Sequence, residues 1–346
     1  MPSKKSIFIN FETLEWKSKS QVEKDAYCED VFKYYRERGF PYYEYTEKQK
    51  KNEIKKLINY NFSPLISNGV IKQTMHGLGL AWSYFPDSWK VKCGSMRTPM
   101  EVFLDDDLFR QAIKKRTQIG TYMSDSGMRK ILRMFTGTQG VSNFRPTAAG
   151  AIYEHYGGEG VTWDMSSGYG GRFLGAATSS NIKEYIGTDP CSSTFIGLKN
   201  MESDLHKFGR KDFLSRLLKI GSEEHDLYDM IGDVDLCFTS PPYFNKEKYS
   251  DETTQSYIKY PKKSKWLEAY FEKTIKNCFT VLKPKGFLIL NVANTSTFPN
   301  FEQQTQLLAK KIGFIYHRSL KLKLSGLMKS DYKYEPIFVW QKPRTN

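Results

Sequence analysis

Asp235-Leu236-Cys237-Phe238-Thr239-Ser240-Pro241-Pro242-Tyr243-Phe244 is an apolar run that ends in a hydroxyl, two prolines and an aromatic. Two adjacent prolines cannot continue a central strand, because neither has a backbone donor, so the chain must turn there. Such a turn falls at the carboxyl edge of an α/β sheet, where these folds bind ligands. The outward carbonyls of a rigid Pro-Pro turn, with the Ser240 hydroxyl, can accept hydrogen bonds from an amino group. Tyr243 offers a face on which a planar base can stack. Ser240, Pro241, Pro242 and Tyr243 are therefore the candidate catalytic residues.

A second run, Asp164-Met165-Ser166-Ser167-Gly168-Tyr169-Gly170-Gly171-Arg172, puts an acid at a strand end and a glycine loop before a helix. Glycine lets backbone approach a bound cofactor closely. The dinucleotide fingerprint GxGxxG fails, because Phe173 stands at its third glycine, and this argues against a nicotinamide oxidoreductase. Asp189 follows Asp164 by 25 residues, at the end of the next strand, and an acid there can accept both ribose hydroxyls. Beyond the Pro-Pro turn, lysines alternate with aromatics. Lys246, Lys248, Tyr249, Lys259, Lys262 and Lys263 suit backbone contacts and stacking on a nucleic acid. His76, His155, His206, His225 and His317 have no metal-like spacing, and no metal is expected.

Ser240-Pro241-Pro242-Tyr243 resembles the (D/N/S)PP(Y/F) tetrapeptide of the amino-group DNA methyltransferases, which act on cytosine N4 or adenine N6. The segments from Tyr243 to Ser250, Leu282-Lys283-Pro284-Lys285-Gly286 and Glu335-Pro336-Ile337-Phe338-Val339-Trp340 are similar to later blocks of that family. The resemblance covers roughly 140–346. It implies S-adenosyl-L-methionine as cofactor and DNA as partner; a cognate restriction endonuclease is a further partner that it allows. Asp164, with Ser166, Gly168 and Gly170, resembles the cofactor loop D-P-F-x-G-x-G, whose acid holds the methionine amino group. Met165 and Ser166 replace its Pro and Phe. Phe144 and Thr147, in Phe144-Arg145-Pro146-Thr147, resemble the block leading into the helix that lines the methionine end. Glu223, in Gly221-Ser222-Glu223, resembles the block that contacts adenine. Asp189 and Ser240 complete the implied cofactor set.

The implied chemistry needs a base turned out of its duplex, at a cost of a few kcal/mol, with its amino hydrogens held by acceptors. Methylation at carbon 5 of cytosine would need a nucleophilic Pro-Cys after the fourth strand. Pro190-Cys191 instead lies on the cofactor side. Within the family, Ser before Pro-Pro goes mostly with cytosine N4, and Asp or Asn mostly with adenine N6. Cytosine N4 is favoured on that ground, although a hydroxyl and a carboxylate can each accept from either amino group. An RNA base methyltransferase and a non-catalytic nucleic-acid-binding module stay open as readings.

These residues require a particular frame. Strand-like segments near 161–165, 184–188, 217–220, 234–238, 287–292, 313–323 and 335–341 alternate with helical patterns, including 146–156, 172–182, 193–207, 266–282 and 301–311. The alternation predicts a mostly parallel, doubly wound α/β sheet with helices on both faces over 141–346, and the resemblance implies that it is the Rossmann-like sheet of S-adenosylmethionine-dependent methyltransferases. Residues 1–140 read as a mainly helical N-terminal accessory region for target recognition, with helices at 23–38, 46–58 and 107–116 and strands and loops over 62–100.

Composition bounds the rest. A chain of 346 residues holds one large catalytic domain and a smaller region. A formal net charge of +14 favours polyanions, because Lys and Arg release counterions from phosphate. Five cysteines with no CxxC pair argue against a disulfide framework or zinc site, and Cys237 and Cys278 read as buried thiols. Residues 1–16 contain no apolar leader core and no run of about 18 apolar residues occurs, so a cytoplasmic protein without membrane partners is expected.

Overall fold

The computed structural model describes residues 13–119, 123–324 and 333–344, so most of the run 1–16 lies outside the described residues. The chain divides into two compact units, Met1–Glu44 with Pro86–Val141, and Tyr45–Phe85 with Ser142–Asn346. A single cut near 140 is therefore corrected: residues 45–85 join the C-terminal unit. The tie is partly electrostatic, since Lys50 Nζ at 2.7 Å and the Tyr84 hydroxyl at 2.8 Å both donate to Asp204 on the helix Ser192–Phe208.

The first unit is helical. Gln21–Arg38 opens on a capping box in which Ser20 and Glu23 satisfy each other's backbone donors, and Pro99–Leu104 does the same with Thr98 and Glu101. Asp106–Ile119 and Asp125–Met134 complete it. The helices bury Val31, Phe32, Tyr35, Phe109, Ile113, Met128 and Leu132 in one core. The strands and loops expected over 62–100 are met only in part. Only β1 (Ile66–Ser67), β2 (Val70–Ile71) and β3 (Lys92–Cys93) occur there, beside the helix Leu78–Ser83 and a 3-10 turn at Pro86–Lys90. Trp82, Tyr84 and Phe85 are buried there as packing residues, so tertiary burial overrides their strand preference.

The second unit carries the sheet. Its further strands are β4 (Val161–Asp164), β5 (Glu184–Thr188), β6 (Leu214–Leu218), β7 (Val234–Thr239), the short β8 (Glu247–Lys248), β9 (Leu282–Asn291), β10 (Ile315–Lys323) and β11 (Tyr334–Gln341). Nine of them form one sheet in the order β1-β2-β10-β11-β9-β7-β4-β5-β6. Strands β9, β7, β4, β5 and β6 are parallel neighbours, and β11 runs antiparallel to both β9 and β10. Parallel strands covered on both faces read as continuous apolar runs, and every residue of β7 is buried. Cys237 joins the core of Trp266, Phe271, Cys278 and Phe301 on one face. Phe238 meets Phe144 and Tyr153 on the other, and Phe173 stacks on Tyr185 at 4.7 Å. Helices thus cover both faces, as the sequence pattern predicts.

Element ends shift by a few residues from expectation. The helix after the glycine loop, Gly171–Thr178, stops before 182, and the strand predicted near 217–220 is β6 at Leu214–Leu218. The long helix before β9 runs Lys263–Val281 and is π-wound over Trp266–Glu272, a local widening of the helix often found at functional sites. All five cysteines are buried, and none of them is in a disulfide. No described helix is long and apolar enough to cross a membrane.

Candidate active site

Strand order reverses between β4 and β7, and ligands of doubly wound sheets bind in the crevice outside the strand ends at such a point. Asp164 ends β4, Asp189 follows β5, and Ser240 follows β7. The register of β4 on β7 is held partly by Asp235, whose carboxylate accepts from the Val161 backbone at 2.9 Å and from Lys283 at 3.0 Å.

The glycine loop leaves β4 with Gly168 and Gly170 at φ of 53° and 68°, a region that favours glycine. At Gly171 a side chain is excluded by space: its Cβ would lie 1.8 Å from the Phe144 carbonyl oxygen. Phe144 therefore borders the loop, half-buried, with its ring 5.9 Å from the Arg172 guanidinium. The Gly168 N–H donates to Asp189 at 2.9 Å, and Cys191 N–H donates to the other oxygen at 3.0 Å. Burial pushes the Asp189 carboxyl up to about 6, against these two hydrogen bonds, which favour the charged form.

Asp164 is not open to a ligand in this arrangement. Its carboxylate accepts from Arg172 Nε at 2.9 Å and Nη2 at 3.2 Å, the Tyr185 hydroxyl at 2.8 Å, the Thr239 hydroxyl at 2.7 Å and the Ser166 backbone at 3.3 Å. Arg172 also donates to the Ser166 carbonyl and, at 3.5 Å, to Thr239 Oγ1. Burial opposes the Arg172 charge, and Asp164 beside it more than compensates. Arg172, Tyr185 and Thr239 were missed from the sequence. A buried arginine beside a strand-end acid carries no distinctive spacing, though Arg172 closes the very run that was singled out.

Ser166 sits at the loop's mouth, its hydroxyl 3.2 Å from that of Tyr270 in the π-wound segment. Thr147 lies elsewhere: it is fully buried and accepts from Thr74 N–H at 3.1 Å and the Thr74 hydroxyl at 3.2 Å. Its place is a tie between segments 62–85 and 146–156, because both its neighbours and its hydrogen bonds are structural. Glu223 is buried, its Oε2 has no partner, and burial raises its carboxyl.

Ser240 and Pro242 are half-buried and Pro241 is buried. The Tyr243 hydroxyl donates to the Asn291 carbonyl at 3.4 Å, and its ring meets Phe301 edge-on at 5.9 Å. Burial raises the Tyr243 phenol and pushes the neighbouring Glu247 up to about 7, with Glu247 Oε2 unpartnered.

The basic loop divides in two. Lys259 bonds Glu223 at 3.4 Å and Glu224, so it closes onto the turn that follows β6. The loop is latched by Glu252, which accepts from Ser192 N–H at 2.9 Å and Oγ at 2.6 Å, and by Thr254, which donates to the Pro190 carbonyl. Lys248, Lys262 and Lys263 are exposed, Lys246 is half-buried, and Lys263 lies 5.1 Å from the Phe298 ring. Tyr249 packs edge-on against Tyr169 at 6.2 Å.

The donors and acceptors fit an adenosyl group. Asp189 keeps lone pairs beyond its two backbone bonds, Glu223 holds a buried oxygen without a partner, and a Cβ at Gly168 would meet only the Ser166 carbonyl at 3.7 Å.

Residues 234–346 match the family model described as DNA methylase, of N6 and N4 type. No curated protein matches the chain. Solved structures similar to it include an S-adenosylmethionine-dependent methyltransferase from Methanosarcina mazei (14% identity, 56% of this chain and 98% of that one, TM-score 0.38). A methyltransferase from Pyrococcus furiosus gives 15% identity over 62% and 94%, with TM-score 0.39. The 1,6-didemethyltoxoflavin-N1-methyltransferase from Burkholderia thailandensis, holding S-adenosylhomocysteine, gives 12% identity over 56% and 76%, with TM-score 0.38. The similarity to the amino-group DNA methylases thus lies in residues 234–346, the third of the chain that begins at β7 and contains the Ser240–Tyr243 turn.

Proposed function

We propose that the protein methylates the exocyclic amino group of a base turned out of DNA, with cytosine N4 the favoured target. The observation that carries this reading is the position of the Ser240–Tyr243 turn. It ends β7 directly across the sheet's reversal point from the glycine loop after β4.

S-adenosylmethionine supplies a sulfonium methyl that a nitrogen lone pair can displace. The protein's own groups prepare that nitrogen. The Ser240 hydroxyl and the Pro241 carbonyl accept from the amino hydrogens, drawing the nitrogen toward tetrahedral geometry and freeing its lone pair. Tyr243 is anchored by its hydroxyl to Asn291 and by its edge to Phe301, so the remaining ring surface is a fixed wall for the base. Asp189 accepts the ribose hydroxyls, and Glu223 Oε2 takes a donor from the adenine end. Preorganised acceptors and positioning supply most of the rate. Lys246, Lys248, Lys262 and Lys263 contact the DNA backbone, with Tyr249 beside them, while Lys259 secures the cofactor pocket.

Transfer of labelled methyl to matched unmethylated DNA and RNA tests the substrate class. The reading expects label in DNA. Label in RNA alone would replace the substrate, and bound S-adenosylhomocysteine with no transfer to either would favour a binding module.

A further inference from the structure

Asp164 stands where the resemblance places a ligand for the methionine amino group, yet its carboxylate is saturated from inside the protein. Four side-chain donors and one backbone N–H converge on its two oxygens, and the residue has no exposed surface. Two carboxylate oxygens offer about four lone-pair sites, so nothing is left for an incoming ammonium group. Breaking one partner out of a buried ion pair leaves an uncompensated charge in the interior, so the cofactor cannot readily take the acid from Arg172.

The partners also lie on two sides of the reversal point. Arg172 belongs to the helix that follows the glycine loop and donates to the Ser166 carbonyl within that loop. Thr239 is the residue before Ser240, and it donates to Asp164 while meeting Arg172 at 3.5 Å. One ion pair therefore clamps the loop that holds the methyl donor to the turn that holds the methyl acceptor.

We propose that Asp164 and Arg172 are positioning residues rather than cofactor ligands: together they form an internal brace that sets the donor loop against the Ser240–Tyr243 turn. The proposal rests on the methyltransferase reading of that site. Its consequence is a division of labour: the amino-acid end of the cofactor is bound without a strand-end acid, and the Asp164 charge serves alignment.

Calorimetry with two thioethers separates the roles. S-adenosylhomocysteine carries the amino-acid end, and 5′-methylthioadenosine lacks it. For a brace, Asp164→Asn weakens both ligands by the same factor, to within about twofold. Selective weakening of S-adenosylhomocysteine by about tenfold or more, with 5′-methylthioadenosine unchanged, would make Asp164 a ligand and overturn the proposal. Because Asp164→Asn leaves Arg172 buried and unpaired, the matched variant Asp164→Asn/Arg172→Met is measured beside it. In that variant kcat at saturating S-adenosylmethionine on unmethylated genomic DNA is expected to fall about 100-fold, the cost of slight misalignment, with KM for the cofactor changed far less. Arg172→Lys recovers part of the loss. A kcat that tracks only the folded fraction would reduce the pair to a stability element and contradict the proposal. If the unaltered protein binds neither thioether, the cofactor reading falls first, an outcome distinct from either result above.

Discussion

Single side chains decide the chemistry through what they leave unsatisfied. Ser240→Ala removes one acceptor from the amino group, and kcat should fall by roughly 10²-fold with cofactor affinity nearly unchanged, as read by steady-state kinetics and calorimetry. Asp189 makes a pH prediction. Its folded carboxyl is raised to about 6 by burial, so the group is neutral at low pH and becomes the better acceptor as pH rises through that value. Affinity for S-adenosylhomocysteine should therefore increase between about pH 5 and 7, and Asp189→Asn should flatten that part of the profile. The linkage sign for stability is the opposite one. The unfolded chain releases this proton near 3.8 and the folded one near 6, so Asp189 lowers stability as pH climbs through that window. Lys259 gives a third expectation. Its ion pairs are to Glu223 and Glu224, so Lys259→Ala should weaken thioether binding and leave the salt dependence of DNA binding unchanged.

At the level of elements, the glycine loop and β7 position everything else. Gly171→Ala pushes a Cβ into the Phe144 carbonyl, and overpacking of that kind costs about 1–3 kcal/mol, visible as a lowered Tm together with weaker cofactor binding. The strand–helix alternation from Pro146 onward was readable because parallel strands covered on both faces are unbroken apolar runs, as in β7, and because proline and glycine mark their ends. Asp164, Asp189 and Ser240 could be placed at strand ends for the same reason. Their partners could not. The saturation of Asp164 depends on Tyr185 in the next strand and Thr239 in a strand 75 positions on, and spacing along the chain does not encode such meetings. Thr147 looked like a lining residue from its block, but its hydroxyl is taken by Thr74, from a segment that reads as separate. The stretch 62–100 misled because its aromatics favour strands locally, while burial of Trp82, Tyr84 and Phe85 holds them in and beside a short helix.

For the molecule as a whole, charge is the governing quantity. A net charge of +14 makes counterion release a large part of any DNA affinity, with a log–log salt slope of about −0.9 per phosphate neutralised. Replacing exposed Lys262 and Lys263 together by Ala should reduce that slope by about 2 without changing kcat at saturating DNA, as measured by binding titrations at several salt concentrations. The central claim, however, is that the Ser240 turn presents an amino nitrogen to the methyl donor. Nucleoside mass spectrometry of unmethylated DNA incubated with the protein and labelled S-adenosylmethionine tests it most directly. The account predicts labelled N4-methylcytosine, abolished in Ser240→Ala/Tyr243→Ala. N6-methyladenine would keep the mechanism and change the base, and label at carbon 5 of cytosine, or no labelled nucleoside while S-adenosylhomocysteine still binds, would contradict it.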